Sequence, residues 1–280
     1  MKTLFPRPAT SIKLFTTGAT LGPIVDSFHN QCLLTYDVAP VSLAWPKLYS
    51  NMDISQNLME LSNAPDAASA SYFFCSSWLI PPLLGFAYVV LGAILPRTIN
   101  LFLSYLNIEQ QTSSKLKINE VSTVKNDAIF LRTRAIQAVI STIFIIRLSE
   151  VLQTNTFAME TISSTPGSNN LALMMLAAVT QWALLDSSPT SLIAATITSI
   201  GGPLSELPFI AAGYWHYIPQ AVDYFPLQNM DDFIQNVLHL DASVSDLALS
   251  SITGPCYFAV TMDAIALGRW FDSIGHDDNV

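Results

Sequence analysis

Charge is scarce in this chain. Only 12% of its 280 residues are Asp, Glu, Lys or Arg, about half the share usual in a soluble domain. None occurs from Ala67 to Pro96. Positive charge is scarcer than negative: 12 Lys and Arg stand against 21 Asp and Glu, a net charge of −9. That balance argues against nucleic-acid binding, which needs basic groups to meet phosphates. Cysteine is limited to Cys32, Cys75 and Cys256. They are far apart and odd in number, with no C-x-x-C, which argues against a disulfide framework and a zinc site. Each lies in or beside an apolar run, where Cys serves as a small buried hydrophobe. His29, His216, His239 and His276 are scattered without metal-ligand spacing. There is no G-x-S-x-G, P-loop or H-E-x-x-H. No catalytic residue, no metal and no cofactor is therefore expected. No cleavable signal is expected either, because the first apolar run lacks an A-x-A-like site and continues into Asp26 and His29. The lack of acidic residues before Asp26 leaves a transit peptide open.

What is present is apolar sequence: 51% of residues are hydrophobic. A hydrocarbon core about 30 Å thick needs roughly 20 such residues in a helix. Apolar runs predict six spans, over residues 11–36, 73–95, 129–151, 169–185, 191–214 and 252–271. The fold expected is all-α, a polytopic membrane protein with a six-helix transmembrane bundle. Residues 1–10 form a cytosolic N-terminus, 11–271 the membrane domain and 272–280 a cytosolic tail. The basic residues support this orientation. With both termini cytosolic, Lys2, Arg7, Lys13, Arg97, Lys115, Lys117, Lys125, Arg132, Arg134 and Arg269 fall on the cytosolic side or at its helix ends. Only Lys47 and Arg147 fall opposite, and residues 215–249 contain no Lys or Arg. That asymmetry is the positive-inside pattern.

Between spans, residues 110–127 read as a polar cytosolic loop. In residues 231–249, Phe233, Ile234, Val237, Leu238, Leu240, Val244 and Leu247 suit an amphipathic helix, on the membrane surface or as a cap over the luminal helix ends. No internal repeat points to a transporter built from two halves.

Ionisable groups at bilayer depth are costly unless paired, snorkelling or hydrated. Arg147 and Glu150 are three apart on one helix face and are expected to pair. Asp26 and His29 are also three apart, with local hydrogen bonding as the plain reading. Asp263 and Arg269 are six apart and do not face each other; Arg269 is expected to snorkel to headgroups. Glu206 follows Gly201-Gly202-Pro203-Leu204-Ser205, which predicts a helix break and freed backbone groups beside an acid. Pro81-Pro82 either kink the second span, leaving room for a ligand, or begin its helix, with Trp78 at the interface.

These residues, in this order, resemble the Insig family (insulin-induced gene proteins) in its plant and algal form. The first span, from Phe15 through Leu21-Gly22-Pro23 to Asp26 and His29, is similar to the family's first helix. Trp78-Leu79-Ile80-Pro81-Pro82 through Gly85 resembles its W-x-x-P-P-x-x-G, and Trp182 through Asp186 its W-x-x-x-D. Gly202 through Pro208, Trp215-His216-Tyr217, Cys256-Tyr257-Phe258 and Gly268-Arg269-Trp270 continue the likeness. The resemblance implies a non-enzymatic regulator in the endoplasmic reticulum membrane. Such a protein binds an oxysterol or other lipid in a central cavity and associates with sterol-sensing-domain membrane proteins that control sterol synthesis. By resemblance, Asp186 would contact the partner and Trp182 would line the cavity. Asn169 or Asn170 would stand in for the family's ligand-facing Gln, which has no identical match here. Trp78 would add slab contact with the sterol. The other class of reading is a small transporter or proton-coupled carrier using Glu206, Asp26 and Asp263, whose acids would converge on one water-filled path. A third, an intramembrane enzyme, needs two ionisable groups within hydrogen-bond reach.

Overall fold

Proline decides where the second long helix begins. Pro81 and Pro82 lack the N–H that a helix interior uses, and two in succession fit a first turn, where that N–H has no intrahelical partner; the helix starts at Ile80. The aromatic residues before it take ladder hydrogen bonds instead. The computed structural model describes residues 5–30, 33–44, 72–106, 123–154, 168–219, 221–227 and 247–274. It is mostly helical. α1 is Pro8–Asn30, α2 Ile80–Tyr105, α3 Thr123–Thr154, α4 Ser168–Leu185, α5 Pro189–Ala211 and α6 Thr253–Ile274.

Four short strands correct the all-α expectation: β1 Leu34–Tyr36, β2 Pro40–Ala44, β3 Tyr72–Ser77 and β4 Trp215–Tyr217. They form two antiparallel pairs. β1 joins β4 with Leu34 opposite Tyr217, and β2 joins β3 with Pro40 opposite Ser77. Residues 34–36 and 73–77, read from sequence as helical ends of spans, are therefore strand. The amphipathic stretch at 231–249 and the polar loop at 110–127 fall largely outside the described residues, as do Cys32, Lys47 and the side chain of Asn169.

Two helical stretches, Ile80–Tyr105 and Ala128–Gln153, are long and apolar enough to cross a membrane. At 1.5 Å per residue each is about 39 Å long. Asn170–Leu185 is apolar but shorter.

α6 is the central element. Fourteen of its 22 residues are buried, on every side of the helix, the pattern of a helix enclosed by others. It packs against α3, α5, α4, α1 and the middle of α2. The contact with α2 is set by Pro96. Pro96 cannot donate to the carbonyl four residues back, and the chain relaxes into a π turn at Val90–Ile94, with Leu95 N–H donating to Val90 O. Gly92 in that turn then meets Gly268 of α6. A Cβ on Gly268 would collide with the Gly92 backbone oxygen, and one on Gly92 with the Ala264 backbone. Two helices lie this close only where neither carries a side chain.

Polar residues tie the bundle crosswise. Gln181 of α4 donates to Ser141 Oγ (2.8 Å) and Thr142 Oγ1 (2.9 Å) on α3. Thr142 in turn donates to the Ala259 carbonyl of α6 at 2.9 Å. Thr198 of α5 meets Thr261 of α6 at 2.6 Å, and Tyr88 of α2 donates to Asp263 at 3.2 Å. Ion pairs hold one end of the bundle: Arg97 with Asp272 at 2.5 Å, and Arg269 with Asp186 at 2.6 Å.

Candidate functional site

A cavity of about 500 Å³ opens among α1, α2, α5 and α6 under the β1–β4 pair. Its flank is apolar, with Leu83, Leu84, Ile146 and Val260 in the wall. Phe86 and Val90 of α2 and Ile197 of α5 belong to the same wall and are exposed on the outer face. They mark a mouth between α2 and α5, which meet mainly through the Leu95–Tyr105 half of α2.

The polar groups gather at the end beneath the strands. Asp26 from α1 accepts from the Tyr36 hydroxyl at 2.8 and 2.7 Å and from Ser76 Oγ at 2.6 Å. Glu206 from α5 accepts from Tyr217 at 2.7 Å on Oε2 and from Tyr257 at 2.8 Å on Oε1. Tyr217 also reaches Thr253 Oγ1 at 3.1 Å. The β1–β4 register explains the convergence. Tyr36 lies opposite Trp215, and Trp215 stacks on Phe209 with centroids 4.9 Å apart. The strand pair thus lays Tyr36, Trp215 and Tyr217, all buried, over the cavity's end. Burial, and then the Glu206 carboxylate, push the Tyr217 phenol well above its ordinary pKa. It stays protonated and donates.

His29 lines the same end. Its Nδ1 is 3.2 Å from Ser149 Oγ and 3.7 Å from Cys256 Sγ. Among the described residues no three His, Cys, Asp or Glu side chains gather to hold a metal ion.

The helix break expected at Gly201-Gly202-Pro203 does not occur: α5 runs unbroken from Pro189 to Ala211 with Pro203 and Pro208 inside it. Pro203 cannot donate to the Ser199 carbonyl, and that oxygen faces Gly254 of α6, which approaches closely because it has no side chain. Gly202 serves a contact too, since the Tyr257 ring lies directly on its Cα. That contact helps seat Tyr257 beside Glu206.

The remaining candidate residues are dispersed. Trp78 sits in the β3–α2 turn, 71% exposed, away from the cavity wall. Trp182 packs against Ala178, Ala195, Phe258 and Met262, donates to the Ser188 carbonyl at 3.0 Å and is also off the wall. Asn170 donates to the Leu152 carbonyl at 3.2 Å, joining α4 to α3. Asp186 is paired with Arg269, so Arg269 does not simply snorkel to headgroups. Arg147 pairs with Glu150 and lies over the Phe28 ring. Asp26 and His29 bond to other elements rather than to each other. Asp263 is buried against Tyr88 and does not line the cavity. Sequence reasoning missed Tyr36, Tyr217, Tyr257 and Ser76 as ligands of the two acids. Their only signal was hydroxyl chemistry on segments remote from Asp26 and Glu206.

Comparison with solved structures bears on the fold. No protein-family model matches the chain, and no curated protein matches it in sequence. Two solved structures match it in fold: a mycobacterial Insig homolog, MvINS from Mycobacterium vanbaalenii, at 15% identity, and a cross-linked trimer of an Arg-to-Cys variant of MvINS at 16%. Each has a TM-score of 0.54 and aligns over 98% of this chain and 97% of its own. The chain has the fold of an Insig homolog. Within that Insig-like fold the cavity, its mouth between α2 and α5 and the acid-bearing end are features of this chain's own residues. Among the described residues, five helices pack around the buried α6, and two helical stretches are apolar over a membrane's thickness.

Proposed function

We propose that this chain is a six-span protein of the endoplasmic reticulum membrane, with both termini cytosolic, that binds a sterol-like lipid in the cavity. In its lipid-bound form it associates with sterol-sensing-domain membrane proteins and so controls sterol synthesis. The observation that carries this reading is the cavity itself: about 500 Å³, apolar along its flank, polar at one end, with exposed residues of α2 and α5 at its mouth. A rigid apolar ligand with one or two polar groups needs such a site. Hydroxyls on the ligand would meet Glu206, Asp26 or His29 at the polar end. The partner would be recognised by Asp186 and by small residues on outward helix faces.

The test is saturable binding of a labelled oxysterol to the purified protein in detergent, with cholesterol and diacylglycerol as competitors. Binding reduced by narrowing the mouth supports the reading, and absence of saturable binding of any of these lipids defeats it. One observation bears on the carrier alternative. Asp26 and Glu206 share the cavity, but Asp263 lies off its wall against Tyr88, so the three acids do not form one path. That separation favours a binding site with a lateral mouth over a conduit.

A further inference from the structure

One residue in the cavity wall is a glycine that packing does not explain. Gly201 lies in the interior of α5, where glycine costs stability relative to alanine. Its neighbour Gly202 has a reason to be glycine, since a Cβ there would collide with the Tyr257 ring. Gly201 has none: among the described residues, a Cβ placed on it meets no atom within 4 Å. Gly201 nevertheless lines the cavity, together with Ile197 one turn before it and Ser205 one turn after. On this stretch of α5 the wall is bare backbone between two side chains. The α2 wall differs. It presents Leu83, Phe86 and Val90, which are branched or aromatic. Glu206, at the polar end, follows Gly201 by five residues, about 7.5 Å along the helix axis.

One smooth wall and one studded with side chains suit a ligand whose two faces differ in the same way. A trans-fused polycyclic lipid has one face free of methyl groups and one that carries its angular methyls. A flexible acyl chain has no such faces and bends past a methyl group at little cost. We infer that Gly201 determines the shape of ligand the cavity accepts. That ligand is a flat fused-ring lipid whose methyl-free face lies on the bare backbone of α5 at Gly201, with its methyl-bearing face against Leu83, Phe86 and Val90. A hydroxyl held at the Glu206 end places the adjoining rings at the level of Gly201. Dispersion is gained where two surfaces touch over an area, and one methyl group between them separates the area. This rests on the reading of the cavity as a sterol site and deepens it by naming what selects the ring system.

The test uses the full chain in detergent, with a labelled oxysterol and a labelled diacylglycerol as probes. Cholestanol, whose first two rings are trans-fused and flat, and coprostanol, whose cis fusion bends the same skeleton, compete with the oxysterol. Cholestanol is expected to compete about tenfold better than coprostanol. Gly201→Ala is expected to weaken oxysterol binding about tenfold and diacylglycerol binding by less than about twofold, with the melting temperature unchanged or raised. Weaker binding in an equally stable protein is what a merely structural glycine does not give. Unchanged oxysterol affinity in Gly201→Ala, equal weakening of both probes, or a melting temperature that falls in step with binding overturns the inference. So does equal competition by cholestanol and coprostanol in the unmutated protein, whether or not the variant folds. In each of these cases sterol binding, and with it the reading of the cavity, stands. Diacylglycerol binding without oxysterol binding overturns the inference and leaves a lipid cavity for flexible chains. Binding of neither probe by a protein that still unfolds cooperatively defeats both.

Discussion

The Arg269 guanidinium donates to the Asp186 carboxylate at 2.6 Å, joining the α4–α5 turn to the end of α6. Ser188 closes the group: its Oγ donates to Asp186 Oδ2 at 3.1 Å and lies 3.3 Å from Arg269 Nη2. The Asp186 side chain is 11% exposed and that of Arg269 is 41% exposed. A half-screened pair of this kind contributes about 1 kcal/mol. Asp186→Ala and Arg269→Gln are each expected to lower stability by about that amount. Only Asp186→Ala is expected to abolish co-purification with a sterol-sensing-domain protein. Thermal unfolding of both variants, read beside the co-purification, separates the roles. Equal loss of association in both variants would make Asp186 a brace rather than a contact.

Gly92 and Gly268 predict the sharpest packing effect. Gly268→Ala places a methyl group against the Gly92 carbonyl, and overpacking of a close helix contact costs about 1–3 kcal/mol. Gly201, with open space around it, is the control: Gly201→Ala is expected to be neutral or slightly stabilising by helix propensity. Detergent-phase thermal melts of the two variants should move in opposite directions or differ clearly in size.

Tyr217→Phe removes one of two phenols from Glu206 and leaves a buried carboxylate oxygen without that donor. The cost is about 1–3 kcal/mol. Tyr224→Phe, at a half-exposed position outside the cavity wall, is expected to change stability little. Chemical or thermal unfolding of the pair checks this, and a negligible effect of Tyr217→Phe would show that Tyr257 alone satisfies Glu206.

Ile197→Trp narrows the mouth from an exposed face of α5. Stability should change by less than about 0.5 kcal/mol, as at other exposed sites, while lipid binding should fall. Equilibrium binding of labelled lipid measures it. Unchanged binding would place the ligand's entry elsewhere.

Much of the fold was legible from particular residues. The apolar runs around Val90, Phe144 and Leu176 specify helices, whereas Pro81-Pro82 left a kink and a helix start open, and the structure starts the helix at Ile80. The strands were not legible. Residues 34–36 and 72–77 are apolar and aromatic, and a short apolar run reads equally as helix end or buried strand. The unbroken α5 was misread because Gly202 and Pro203 argue locally for a break. The close approach of Tyr257 to Gly202 and of Gly254 to Ser199 comes from another helix.

By itself the sequence determined a helical chain too apolar and too poor in charge to be an ordinary soluble domain, because burial or lipid must cover such surfaces. It also marked Asp26, His29 and Glu206 as groups that need partners. Only the tertiary structure decided what those partners are. Asp26 and Glu206 are 180 residues apart in sequence, and their phenols come from β1, β4 and α6. Hydrogen bonds reach about 3 Å whatever the separation along the chain, so the register of β1 against β4 and the packing of α6 set the chemistry of the cavity.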